Sequence, residues 1–298
     1  MTIMKNTYIG FGSLLMTGFL YGLFAILVRT VGFEFPIFFQ MWTRNIIGTL
    51  ILLAFIVFGH DWIKVRKQDY IWLVLRTIAG IFAYITSYIA FFYIQIGTAY
   101  FAYYCGSVFG GYLIGKFLFK EKITLIKIIA LILSIIGLFF IYSFNLETNK
   151  SIYILIALSS GLVASVWDIF SKKISHIYSA TQLNFIDFGL FFIFTFIISI
   201  TLKETWVMPE LSTPWVINAI FGVIYVICGQ LIIYGFKYLD AQIGSLVMLM
   251  DAVFGIILGY LIYRETLSLM TLLGGILIFT ATILPIVKFK KIDIITSS

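Results

Sequence analysis

The chain has 298 residues, of which 62% are apolar and only 11% charged, with a mean hydropathy of +1.09. A soluble domain carries about 25% charged residues, so aqueous enzymes, nucleic-acid binders and disordered scaffolds are excluded and a membrane protein is expected. The net charge of +7, from 20 Lys+Arg against 13 Asp+Glu, is spread mainly between the apolar runs, where lipid headgroups would meet it.

A helix needs about 20 apolar residues to cross the hydrocarbon core. In chain order the predicted spans are 7–28, 36–59, 70–94, 98–118, 124–144, 151–173, 179–202, 214–236, 241–263 and 267–287, an all-α membrane protein of ten helices. The charge-free run from Thr77 to Gly115 is too long for one crossing and is divided at Gln95-Ile96-Gly97-Thr98 into a tight helical hairpin. Strands are not expected, because the runs are continuous and do not alternate at period two. The first run lacks a small-residue cleavage site and is not expected to be a signal peptide. Cys105 and Cys228 fall inside apolar runs, which argues against a disulfide framework. His60 and His176 lie in polar connections, so neither a His-based metal site nor any cofactor is expected.

Lys and Arg in short loops set orientation. With the N-terminus cytoplasmic, the inside loops carry 14 basic residues and the outside loops four, namely Arg29, Lys150, Lys203 and Arg264; the other two, Arg44 and Arg76, fall within spans. Both termini are therefore predicted to face the cytoplasm, and the chain to sit in the cell (inner) membrane as a multi-pass protein.

Sliding the chain against itself by 144 residues aligns Gly111 with Gly255, Gly115 with Gly259 and Glu121 with Glu265. A shift of 143 places Leu15 over Leu158, Gly18 over Gly161 and Arg29 over Lys172. Two five-helix repeats follow, at about 1–144 and 145–298. Since five is odd, the second copy enters the membrane inverted, an architecture recurrent in secondary transporters, with the substrate site between the halves.

The runs Gly111-Tyr112-Leu113-Ile114-Gly115 with Lys120-Glu121-Lys122, and Gly255-Ile256-Ile257-Leu258-Gly259 with Arg264-Glu265-Thr266, resemble the paired signatures of the drug/metabolite transporter superfamily in its EamA-type branch. Arg44 in the second span is also similar to that family. The resemblance covers nearly the whole chain and implies ten helices in two repeats, with Asp251 where an acidic residue is common. One departure concerns proline, usual in the fourth and ninth helices before a Val/Leu-Phe pair. This chain has Val108 and Ala252 there, which puts local kinks in doubt.

Ionisable side chains in spans are costly and mark function or internal pairing. Five qualify: Arg44, Arg76, Asp168, Asp187 and Asp251. Arg44 has Gln40 one turn away, a polar stripe suited to clamping a carboxylate or phosphate. Arg76 begins a stripe with Gly80, Tyr84, Ser87 and Tyr88. Asp168 is expected to be neutralised by Lys172 at i+4, leaving Arg44 and Arg76 facing Asp187 and Asp251. Balanced charge suits a zwitterionic metabolite, with Tyr84, Tyr103 and Tyr104 available to stack rings or hold a cation. The glycine pairs 106/110, 111/115 and 255/259 read as close helix-packing sites. Glu121 and Glu265 are expected to open the fifth and tenth helices against their dipoles.

The leading expectation is a secondary carrier, not an enzyme, moving a small polar metabolite, amino-acid-like or S-adenosyl-like, by alternating access. No Gly-x-x-x-x-Gly-Lys loop is present for ATP. The expected partners are the small-molecule substrate and the lipid bilayer, with no nucleic acid; a coupling ion or exchanged solute, and a monomer or homodimer, stay open. The alternative is an intramembrane aspartyl protease using Asp187 and Asp251, although Asp251 follows Leu249-Met250 and not the Gly-x-Gly of such enzymes. A channel would need repeated filter residues, and none is apparent.

Overall fold

The computed structural model describes residues 2–31, 34–60, 62–142, 150–264 and 266–296, and no strand occurs among them. Eleven α-helices follow one another: α1 (Thr2–Val31), α2 (Ile37–Gly59), α3 (Tyr70–Tyr93), α4 (Ile96–Phe117), α5 (Leu125–Tyr142), α6 (Ser151–Ile174), α7 (Ala180–Thr201), α8 (Thr213–Tyr238), α9 (Ala241–Met248), α10 (Met250–Tyr263) and α11 (Leu269–Thr296). Helices α9 and α10 are two pieces of one span, so ten crossings result. Nine of these segments have the length and hydropathy of membrane spans. The tenth, α4, is diluted by glycine and tyrosine, which anticipates its position inside the bundle.

The helices are apolar outward and polar inward. On α3, Ile71, Val74, Ile78 and Phe82 are about half exposed, while Arg76, Thr77, Ala79 and Ala83 on the opposite side are buried. In water that arrangement would be unstable; in lipid it leaves the polar groups to find one another. The chain is a multi-pass membrane protein.

The hairpin between α3 and α4 turns at Ile94-Gln95, at the leading edge of the expected interruption, whose remaining residues Ile96, Gly97 and Thr98 already belong to α4. The proline-poor ninth span breaks nonetheless. At Leu249 the ladder tightens to i→i+3 bonds, Leu249 N to Leu246 O and Ala252 N to Leu249 O, both 3.2 Å. The Thr282 hydroxyl of α11 donates to Leu246 O at 3.1 Å beside the break. Helix α4 runs unbroken through Val108.

Duplication is visible in the backbone. Left-handed residues occur at His60, Lys120, Lys203 and Arg264, with φ of 53–55°. His60 and Lys203 follow α2 and α7, and Lys120 and Arg264 follow α4 and α10, so each repeat stops its second and fourth spans in the same way.

The repeats interlock. Helix α6 packs on α3 and α4, α1 packs on α8 and α10, α2 pairs with α7, and α5 with α11. The α4–α6 contact is a backbone-to-backbone seam: a Cβ on Gly106 would strike Leu158 O, and one on Gly161 would strike Tyr103 O. Gly18, the counterpart of Gly161, brings α1 against α10 in the same manner, where a Cβ would lie 3.1 Å from Asp251 N.

Candidate functional site

A cavity of about 880 Å³ lies between the repeats. Its wall carries Tyr21 and Phe24 of α1, Arg44 of α2, Tyr84 of α3, Tyr100 and Tyr104 of α4, Tyr142 of α5, Phe221 and Tyr225 of α8, and Asp251 of α10. It reaches the face of the bundle where α4 begins and α10 ends, at Ile96, Gly97 and Tyr263. Arg44 and Asp251 are the two charged residues in its lining among the described residues, one from each repeat.

Each is held in place by neutral partners. Arg44 donates from Nε to Asn218 Oδ1 and from its terminal nitrogen to Gln40 Oε1, both at 2.6 Å. Asn218 in turn donates to Thr43 at 2.8 Å, and Gln40 to Phe35 O at 2.8 Å. The Phe221 ring lies 3.8 Å from the guanidinium carbon. Among the described residues no carboxylate pairs with Arg44. Asp251 accepts the Tyr104 hydroxyl at 2.8 Å on Oδ2, while its Oδ1 is buried without a partner. Around these charges Tyr100, Tyr104 and Tyr142 stack with centroids 5.6–5.9 Å apart, and Phe24 stacks on Phe221 at 4.2 Å.

The expected charge balance sorts differently. Arg76 is fully buried and pairs with Asp187, which also accepts from Thr77 at 2.6 Å and Trp167 Nε1 at 3.2 Å. Arg76 also donates to Trp167 O at 3.0 Å. Neither Arg76 nor Asp187 lines the cavity, and Asp187 and Asp251 share no chamber, so they form no protease dyad. Gln40 stands behind Arg44 as its support. Tyr84 and Tyr104 line the cavity, whereas Tyr103 lines a smaller chamber behind it. The side chain of Tyr88 is outside the described residues.

The pairing of Asp168 with Lys172 does not form. Lys172 Nζ instead reaches Glu121 at 2.9 Å and Leu239 O at 2.7 Å, because the end of α6 abuts the α4–α5 connection and the start of α9. Glu121 does not open α5, which starts at Leu125; it accepts from Ala241 N at 2.7 Å and Gln242 N at 3.2 Å at the N-terminus of α9. Lys127, buried in α5, pairs with Asp240 at 2.8 Å. These contacts tie the two repeats together at the end opposite the mouth. Glu265, like the side chains of Arg29 and of the C-terminal lysines, lies outside the described residues.

Asn218, Tyr21, Tyr100, Tyr142, Phe221 and Tyr225 were not marked by the sequence argument. A single Asn in the apolar run 214–236 was the available signal for Asn218.

A ten-span bundle of two inverted repeats around a charged central cavity is the form of a membrane carrier. The sequence profile of the EamA-like transporter family matches twice, over residues 8–143 and 151–287, and the chain belongs to this family. A solved crystal structure superposes with a TM-score of 0.79 at 17% identity, covering 94% of this chain and 97% of its own, which shows the shared fold. No curated protein sequence matches the chain.

Proposed function

We propose that the protein is a secondary carrier for a small zwitterionic metabolite bearing an apolar or aromatic part, of the amino-acid or S-adenosyl class. The observation that carries this reading is a cavity with one guanidinium and one carboxylate as its charged lining. Arg44, fixed in direction by Asn218 and Gln40, would take the substrate carboxylate; Asp251 would take the ammonium. The tyrosine stack and the Phe24–Phe221 pair would receive the remainder. The volume falls within the roughly 300–1,000 Å³ range of small-molecule sites.

The latch of Glu121, Lys172, Lys127 and Asp240 closes one end while the cavity reaches the other, as alternating access requires of one of its two states. The loop-lysine asymmetry assigns the latched end to the cytoplasm, in the cell membrane. The test is uptake of labelled amino acids and S-adenosyl compounds by purified protein in liposomes. Uptake is expected for a zwitterion and is expected to fall about tenfold or more in Arg44→Ala and in Asp251→Asn. Undiminished uptake in both variants would remove this site from the mechanism.

A further inference from the structure

Behind Asp251 lies a second chamber of about 100 Å³, lined by Tyr103, Tyr104 and Ser107 of α4, Trp167 and Asp168 of α6, and Met248, Leu249 and Asp251 at the break in the ninth span. That volume has room for a few water-sized groups. Two of its walls are carboxylates, and no Lys, Arg or His lines it.

Asp168 is free because Lys172 is drawn away to Glu121, and no described residue pairs with its carboxylate. Asp251 keeps a buried oxygen, Oδ1, without a partner. The neighbouring cation, Arg76, does not line the chamber; it pairs with Asp187 and donates to Trp167 O, and its Nη2 is buried without a partner. Two carboxylates lining one small chamber repel each other, and a positive charge between them relieves that repulsion. The break between α9 and α10, at Met248-Leu249, lies on the same wall. Broken helices of this kind present backbone carbonyls to ions in other carriers.

We propose that this chamber is a binding site for one small monovalent metal cation, of sodium size, held between Asp168 and Asp251. The hydroxyls of Ser107 and Tyr103 and the carbonyls at the helix break would complete an all-oxygen shell. No group of three or more His, Cys, Asp or Glu side chains that could hold a metal ion occurs among the described residues. Because Asp251 faces both spaces, the bound cation sets the charge that a substrate ammonium meets. The binding claim needs no substrate, so it stands or falls separately from the carrier reading.

The experiment uses the full chain purified in detergent. Binding of ²²Na⁺ is measured at fixed pH, and thermal unfolding is compared in NaCl, KCl and choline chloride at equal ionic strength. Saturable binding of one Na⁺ per chain is expected, with a higher Tm in NaCl than in choline chloride. Asp168→Asn is expected to weaken ²²Na⁺ binding about tenfold or more, equivalent to losing one charged ligand. Where that variant fails to fold, Ser107→Ala supplies the reading, with weaker binding and an unchanged Tm in choline chloride. Absence of saturable ²²Na⁺ binding, identical melting in all three chlorides, a response to pH alone, or full binding in Asp168→Asn would each overturn the proposal.

Discussion

The two repeats each build a polar knot between the second span of one copy and the third span of the other. In the α7–α3 knot, Asp187 meets Arg76, Thr77 and Trp167, and the two opposite charges are paired in a buried contact. In the α2–α8 knot, Arg44 meets Asn218 and Gln40, and its charge is left uncancelled in the wall of the cavity. The comparison separates two uses of buried arginine: one closes a helix contact, the other keeps a guanidinium oriented and available. An inverted duplication supplies both places, and the partner's charge decides which becomes the site.

The largest effect is expected from breaking the closed knot. Asp187→Ala leaves a buried guanidinium unpaired, and such losses cost about 3–5 kcal/mol. A sharply lower melting temperature in detergent is expected, and an unchanged one would refute the assignment. Breaking the open knot should act on transport instead. Arg44→Ala is expected to lower uptake about tenfold to a hundredfold, the worth of one charge-assisted bond, with little loss of stability. Equal destabilisation in both variants would erase the distinction between the knots.

Asn218→Ala sharpens the contrast by leaving Arg44 charged but poorly aimed. A rise of several-fold in the substrate concentration for half-maximal uptake is expected, in line with about 1 kcal/mol for one hydrogen bond. The smallest effect concerns the latch. With Cys105 and Cys228 replaced by alanine and Ser245→Cys introduced one turn deeper on α9, Lys172→Gln is expected to speed maleimide labelling about threefold, as for a weak ion pair. An unchanged labelling rate in Lys172→Gln would deny this contact a part in closing that end.

The spans were legible because lipid demands length and apolarity, and the turn was read to within a residue or two, since Gln95 interrupts a run too long for one crossing. The break at Leu249 was not legible, since it arises from i→i+3 bonds and from Thr282 and Gly18 packed beside it, not from a breaker residue. Arg44 and Asp251 stood out as charges in spans, yet so did Arg76 and Asp187. Pattern within one helix cannot say which pairs across helices will meet. Lys172 shows the same limit: Asp168, four residues before it, lost to Glu121, 51 positions away in sequence but placed against it by the fold.

The exchange of first helices between the repeats has a consequence for how such a chain could be taken apart. Helix α1 finds its neighbours in α8 and α10, and α6 finds its own in α3 and α4, so neither half owns a complete bundle. Each first span is therefore packed in a mixed trio drawn from both copies, and cutting the polypeptide at its midpoint would sever each trio from its first member. A half-length ancestor would have gained a stable form only as an antiparallel pair of identical chains, each lending its leading helix to the other.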